Sequence, residues 1–388
     1  MGSTRQASRL LAVSLSITLS TIFPVEGSAQ APRQPPGEIE RIRSDQWHLE
    51  YLKAFDAQRI SRGAGVTVAV PDTGVQPHPD LHRNLLSGAD IIDDGNGNGQ
   101  NDQNSHGTGM AGLIAAHGQG GTLGALGIAP EAHILPIRDT PVDGQGEPDK
   151  LAAGISFAIR NGADIISISS VGGAGIPLQQ SIKTALAADV VVVASAGNHP
   201  QDAAVGYPAS EDGVIAVGGI DRDGNRAAVS VTGPEIDVVA PAVDIYSTSI
   251  DGKYRKGTGT SDATAIVAGA AALIRSKYPY LPAREVAHRL TATAIDKGAP
   301  GRDDEYGYGV IDLVAALTAD VPPLGFESVG ASAGAGPTTA GAQPGDDEDG
   351  ATARGLATLG VILAAGVGWA VVARRRRRGD DPPPRISR

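Results

Sequence analysis

The sequence contains no cysteine among its 388 residues. Disulfides, thiolate metal sites and a cysteine nucleophile are therefore excluded. Aromatic residues are scarce, at 4%, so a core must be built mainly from Ala, Val, Ile and Leu. Positive charge is in deficit: 32 Lys and Arg face 43 Asp and Glu, a net charge of −11. That balance argues against nucleic acid as a partner. Glycine, at 52 residues, and proline, at 26, imply many turns. With 41% hydrophobic and 19% charged residues, most of the chain should be globular, one large core with appendages.

Both ends read as appendages. Residues 1–31 have Arg5 and Arg9, an apolar stretch from Leu10 to Phe23, then the small residues Gly27, Ala29 and Ala31. This is the layout of a secretory signal peptide. Residues 355–373, "GLATLGVILAAGVGWAVVA", carry no charge and are long enough to span a bilayer as a helix. "RRRRR" follows within the basic tail, 374–388, and arginine clusters stay on the cytoplasmic side. The body should then lie outside the cell membrane, held by a single pass. Residues 32–45, rich in Pro and charge, read as an extended N-terminal arm that wraps the domain. Residues 321–354 read as a disordered Pro/Gly/acidic linker. The globular domain is 46–320.

Within it, short apolar runs alternate with helical patterns. "GVTVAV", "HILPIR", "ADIISIS", "DVVVVASA", "GVIAVGG" and "IDVVAPA" are near-continuous in apolar residues, as strands buried on both faces of a parallel sheet are. Helices are expected at 107–117, 148–161, 177–187, 263–277 and 283–294. "SDQWHLEYLKAF" reads as a further helix with Trp47, Tyr51 and Phe55 on one face. The alternation predicts an α/β sheet with helices on both faces, and active residues of such sheets gather at the carboxyl ends of the strands.

Those ends carry chemistry. The first strand ends in Asp72 and a later one in Asn198; His106 and Ser261 each open a helix. Ser261 in "GTGTSDATAIVAG" has two readings, a helix cap or a nucleophile at a helix N-terminus. The glycines at 107, 109 and 112 would let the His106 helix approach its neighbours closely. His78 and His82, four apart, raise zinc, against a plain turn in "HPDL" with no third ligand in view. The D-x-N-x-N-G string at 94–99 resembles a calcium loop but has Ser105, not Glu, at the twelfth position. A solvated loop is the alternative.

The order Asp72, His106, Asn198, Ser261 and the stretches "VAVPDTGVQPHPDL", "SHGTGMAG", "GIAPEAHILPIR", "ASAGN", "YPASEDGVIAVGG" and "GTSDATAIVAGAAAL" resemble the subtilisin-like serine protease family. The likeness runs from about Gly65 to Ala316. It implies a subtilisin-like three-layer fold, hydrolysis of protein or peptide substrates by the catalytic triad Asp72, His106 and Ser261, and Asn198 as oxyanion donor. Ser170, Val171 and Gly172 fall on the family's substrate-binding edge. No cofactor or metal site is implied, apart from calcium, which these enzymes often use. Signal, arm, protease domain, linker and C-terminal transmembrane helix together resemble the mycosins, membrane-anchored proteases associated with type VII secretion. A weakly active scaffold that stabilises such a membrane complex is the rival reading. The sequence departs from the family at Pro71, before the triad Asp, and at Asp262, after the Ser. Asp262 could oppose the oxyanion, perturb His106, or point into solvent or a salt bridge.

Overall fold

The computed structural model describes residues 36–92 and 96–325. The stretch read as a signal peptide, residues 32–35, most of the stretch read as a linker, the uncharged run 355–373 and the basic tail lie outside the described residues. Among the described residues no helix is long and apolar enough to cross a membrane.

The chain enters through three short helices, α1 (Pro36–Asp45), α2 (Trp47–Tyr51) and α3 (Ala54–Gln58). An extended arm was the expectation for 32–45, yet residues 36–45 are helical. Pro36 occupies the first helical position, where its missing N–H costs nothing and its fixed φ helps. The single helix expected over 44–55 is broken at Lys53, which takes a left-handed φ of 51°. Trp47 and Tyr51 still meet edge to face at 5.6 Å, but Phe55 turns outward, 44% exposed. This entry segment is stitched to distant parts of the chain. Arg43 Nε donates to the Gly124 carbonyl, and Gly124 N–H donates back to the Ile39 carbonyl. Gln46 Nε2 donates to the carbonyls of Leu126 and Tyr246, and Trp47 Nε1 to that of Val243.

The body follows as β1 (Thr67–Asp72), β2 (Ala89–Asp90), α4 (His106–Ala115), β3 (His133–Arg138), α5 (Pro148–Arg160) and β4 (Ile165–Ile168). Then come α6 (Ile176–Ala187), β5 (Val191–Ser195), β6 (Ile215–Ile220), β7 (Val238–Pro241), β8 (Ile245–Thr248) and β9 (Tyr254–Gly257). The helices α7 (Thr260–Lys277), α8 (Ala283–Ala292) and α9 (Leu313–Thr318) close it. Seven strands form one sheet in the order β2-β3-β1-β4-β5-β6-β7, each neighbouring pair parallel. Every residue of β5 and β6 is buried, so helices cover both faces. α4 and α7 pack on each other and on the sheet; α5 and α6 form a second packed pair against it. The apolar helix α7 runs through the core, buried from Asp262 to Arg275. β8 and β9 form a separate antiparallel hairpin.

The strand order reverses at β1, which has β3 on one side and β4 on the other. A crevice opens outside the carboxyl ends of the strands at such a switch point. Pro71 helps to shape it. The carbonyls of Val66 and Asp72 accept from the β3 side, that of Thr67 from the β4 side. Alternation puts the Pro71 nitrogen on the β4 side, where pairing has already ended at Ala69–Ile166. Proline therefore costs no ladder bond there, and β1 and β4 part beyond it.

Candidate active site

Asp72 ends β1 beside this opening and is 6% exposed. Thr73 N–H donates to Asp72 Oδ1 at 2.7 Å. His106 is the first residue of α4, and its Nδ1 lies 2.8 and 2.9 Å from the two Asp72 oxygens. That contact leaves Nε2 for other work. Burial pulls the imidazole pKa down, but the charge and hydrogen bond of Asp72 outweigh it, with Arg255 opposing and Asp262 helping; the pKa ends up raised. Three glycines let α4 settle this closely, as expected. A Cβ on Gly107 would overlap the Gly74 carbonyl, one on Gly109 the Arg255 side chain, and one on Gly112 the Thr248 hydroxyl.

A residue that sequence reading passed over ties the two sides together. Asp102 is buried, and its Oδ1 accepts from Thr73 Oγ1, Asn104 N–H and Ser105 N–H. Its Oδ2 accepts from the N–H and hydroxyl of Thr108 at 3.0 and 2.6 Å. Thr73 Oγ1 accepts in turn from Gly107 N–H at 3.1 Å. The end of β1 and the start of α4 are thus locked to one carboxylate. Asp139, also buried, begins the loop after β3; burial, then the charge of Asp72, push its pKa well up.

Ser261 is the second residue of α7 and half-buried. Its hydroxyl donates to the Ser169 carbonyl at 3.1 Å, just past β4, rather than to His106. Asn198 follows β5. Its Oδ1 accepts the Thr260 N–H at 2.9 Å, capping the start of α7. A cavity of about 300 Å³ is lined by Asp72, His106 and Ser169 and walled by Leu151, Val171 and Leu178. Ser170 and Gly172 line it too, although the Gly172 N–H is already donated to the Tyr207 carbonyl.

Asp262 neither faces solvent nor forms an ion pair within 4 Å with any described residue. It is 2% exposed, and burial raises its pKa to about 6 against the pull of Arg255 and His106. His78 and His82 do not converge. His78 is buried between the Lys253 carbonyl and the Asp80 N–H, and His82 packs on His117. Among the described residues no group of three His, Asp or Glu side chains gathers to hold a metal. Asp94 and Gly95 of the calcium-like string lie outside the described residues.

A doubly covered parallel sheet with Asp, His, Asn and Ser at its carboxyl edge defines a subtilisin-like hydrolase. The chain belongs to the subtilase family of serine endopeptidases, which matches residues 63–309. It is 41% identical to subtilisin DY of Bacillus licheniformis, over 66% of this chain and 92% of that one. It is 35% identical to mycosin-1 of Mycobacterium tuberculosis, over 83% of each chain. Among solved structures it is similar to MycP1 with the N-terminal propeptide removed, with a TM-score of 0.65 at 33% identity, covering 71% of this chain and 98% of that one. MycP1 from the ESX-1 type VII secretion system gives 0.64 at 31%, covering 71% and 86%.

Proposed function

We propose that the chain is a membrane-anchored, extracytoplasmic serine endopeptidase that works through Asp72, His106 and Ser261. The observation that carries this is the His106 imidazole, bonded through Nδ1 to both Asp72 oxygens at the mouth of the cavity. In this reading His106 Nε2 takes the Ser261 proton as Oγ attacks the scissile carbonyl, then passes it to the leaving amine. Asp72 holds the tautomer and stabilises the imidazolium. The oxyanion is met by backbone N–H groups at the start of α7 and by Asn198 Nδ2. An extended peptide lies along Ser170, Val171 and Gly172, with a side chain against Leu151 and Leu178. This chemistry calls for no cofactor.

A place in a type VII secretion complex is supported by the likeness to mycosin-1, which spans more of the chain than the subtilisin match, and to MycP1 from such a system. The membrane anchor rests on the uncharged run 355–373 and the arginines after it. The buried carboxylate beside the nucleophile favours a second reading, a weakly active domain that stabilises such a complex.

Two measurements decide. A fluorophosphonate probe should label wild type and not Ser261→Ala, and Ser261→Ala should lose peptidase turnover about a million-fold. Wild-type protein that resists labelling, or an alanine variant with wild-type turnover, would end the triad reading and leave the scaffold.

A further inference from the structure

Asp262 has a setting of its own beside the triad. A methyl carbon on Gly257 would lie 2.7 Å from both Asp262 carboxylate oxygens and 2.8 Å from Nη2 of Arg255. Carboxylate and guanidinium therefore flank one point. The same Arg255 lies against α4: a methyl carbon on Gly109, three residues beyond His106, would lie 2.5 Å from its Nη1. So the first turn of the nucleophile's helix, the first turn of the base's helix and β9 meet at this pair. Among the described residues neither Asp262 Oδ1 nor Arg255 Nη1, both buried, finds a hydrogen-bond partner.

We propose that Asp262 is a positioning residue acting through His106, its carboxylate, facing Arg255 across Gly257, setting the charge under which the imidazole accepts the Ser261 proton. The proposal rests on the triad reading above. The charges acting on His106 are Asp72 from β1, Arg255 from β9 and Asp262 from α7; those acting on Asp262 are Arg255 and His106. Ionised Asp262 favours imidazolium and Arg255 disfavours it. Asp262 titrates near 6, and its charge and that of His106 act on each other. Each proton on one then hinders the proton on the other.

The consequence is a stretched acid limb. As pH falls, Asp262 becomes neutral and His106 becomes harder to protonate, so kcat/KM declines over a wider range than one proton gives. The test is the pH profile of kcat/KM on a neutral peptide ester for wild type, Asp262→Asn and Asp262→Met, each first shown to label with fluorophosphonate. Both variants should show a one-proton limb, its midpoint lower than wild type by about half a unit or more. Arg255→Lys, which keeps the cation, should retain the broad limb. Labelled variants with the wild-type midpoint and breadth would overturn the role of Asp262 while leaving the triad standing. A failure of wild type to label would instead remove the triad reading on which it rests.

Discussion

A carboxyl group whose pKa rises on folding makes the folded state less stable wherever that group is ionised. Asp262 is such a group, raised by burial from the usual 3.8 to about 6. Its cost is absent only well below 3.8, where folded and unfolded forms both hold the proton. It grows as pH rises and is complete above the folded value. Asp262→Asn should therefore melt higher than wild type at pH 7.5, with a gain on the order of 2–3 kcal/mol. The gain should shrink several-fold by pH 4. Thermal melts of both proteins at the two pH values check this, and an equal difference at both would contradict it. The residue is then a trade between stability and the charge around His106, as functional sites often are.

At the scale of elements, the approach of α4 to β1 is the sensitive dimension. A Cβ at Gly107 would overlap the Gly74 carbonyl and fall 3.1 Å from the Asp72 Cβ. Gly107→Ala should keep the fold but push the His106 helix off the strand, lowering kcat about a hundred-fold. Turnover and circular dichroism together test it; unchanged kcat would show that α4 adjusts freely. The elements that frame the site were legible in the sequence because their strands lie in near-continuous apolar runs and their helices carry helical apolar spacing. The six apolar runs became β1 and β3 to β7, and the five helical patterns became α4 to α8. What escaped was short or depended on distant partners. β2 has two residues, and β8 and β9 have four each, joined across a Gly and Asp turn. α9 has six, started by Asp312 accepting from Val314 and Ala315. Asp102 read as part of a solvated loop because its partner Thr73 lies 29 residues away. The mixed effects of Asp262 could not be resolved from its neighbours in sequence, since Arg255 reaches it across the turn after β9.

For the whole molecule, the proposed anchor makes a topological claim. A protease added to intact cells should cut the domain, while a tag fused after Arg388 stays protected, because on this reading the five arginines keep that end in the cytoplasm. Cleavage of the tag from outside would invert the arrangement. The stitching of the entry helices has a consequence of another kind, for the order in which the protein becomes whole. Gln46 and Trp47 find their carbonyl partners 200 and 196 residues further on, and Ser61 donates to Leu273, 212 residues on. During synthesis these first helices emerge with nothing to close upon. For these partners they must wait until the hairpin and α7 have also left the ribosome. On the proposed extracytoplasmic reading, the native state is then reached only on the far side of the membrane, and late. The long interval before that closure is when the polypeptide is most exposed to aggregation and to other proteases.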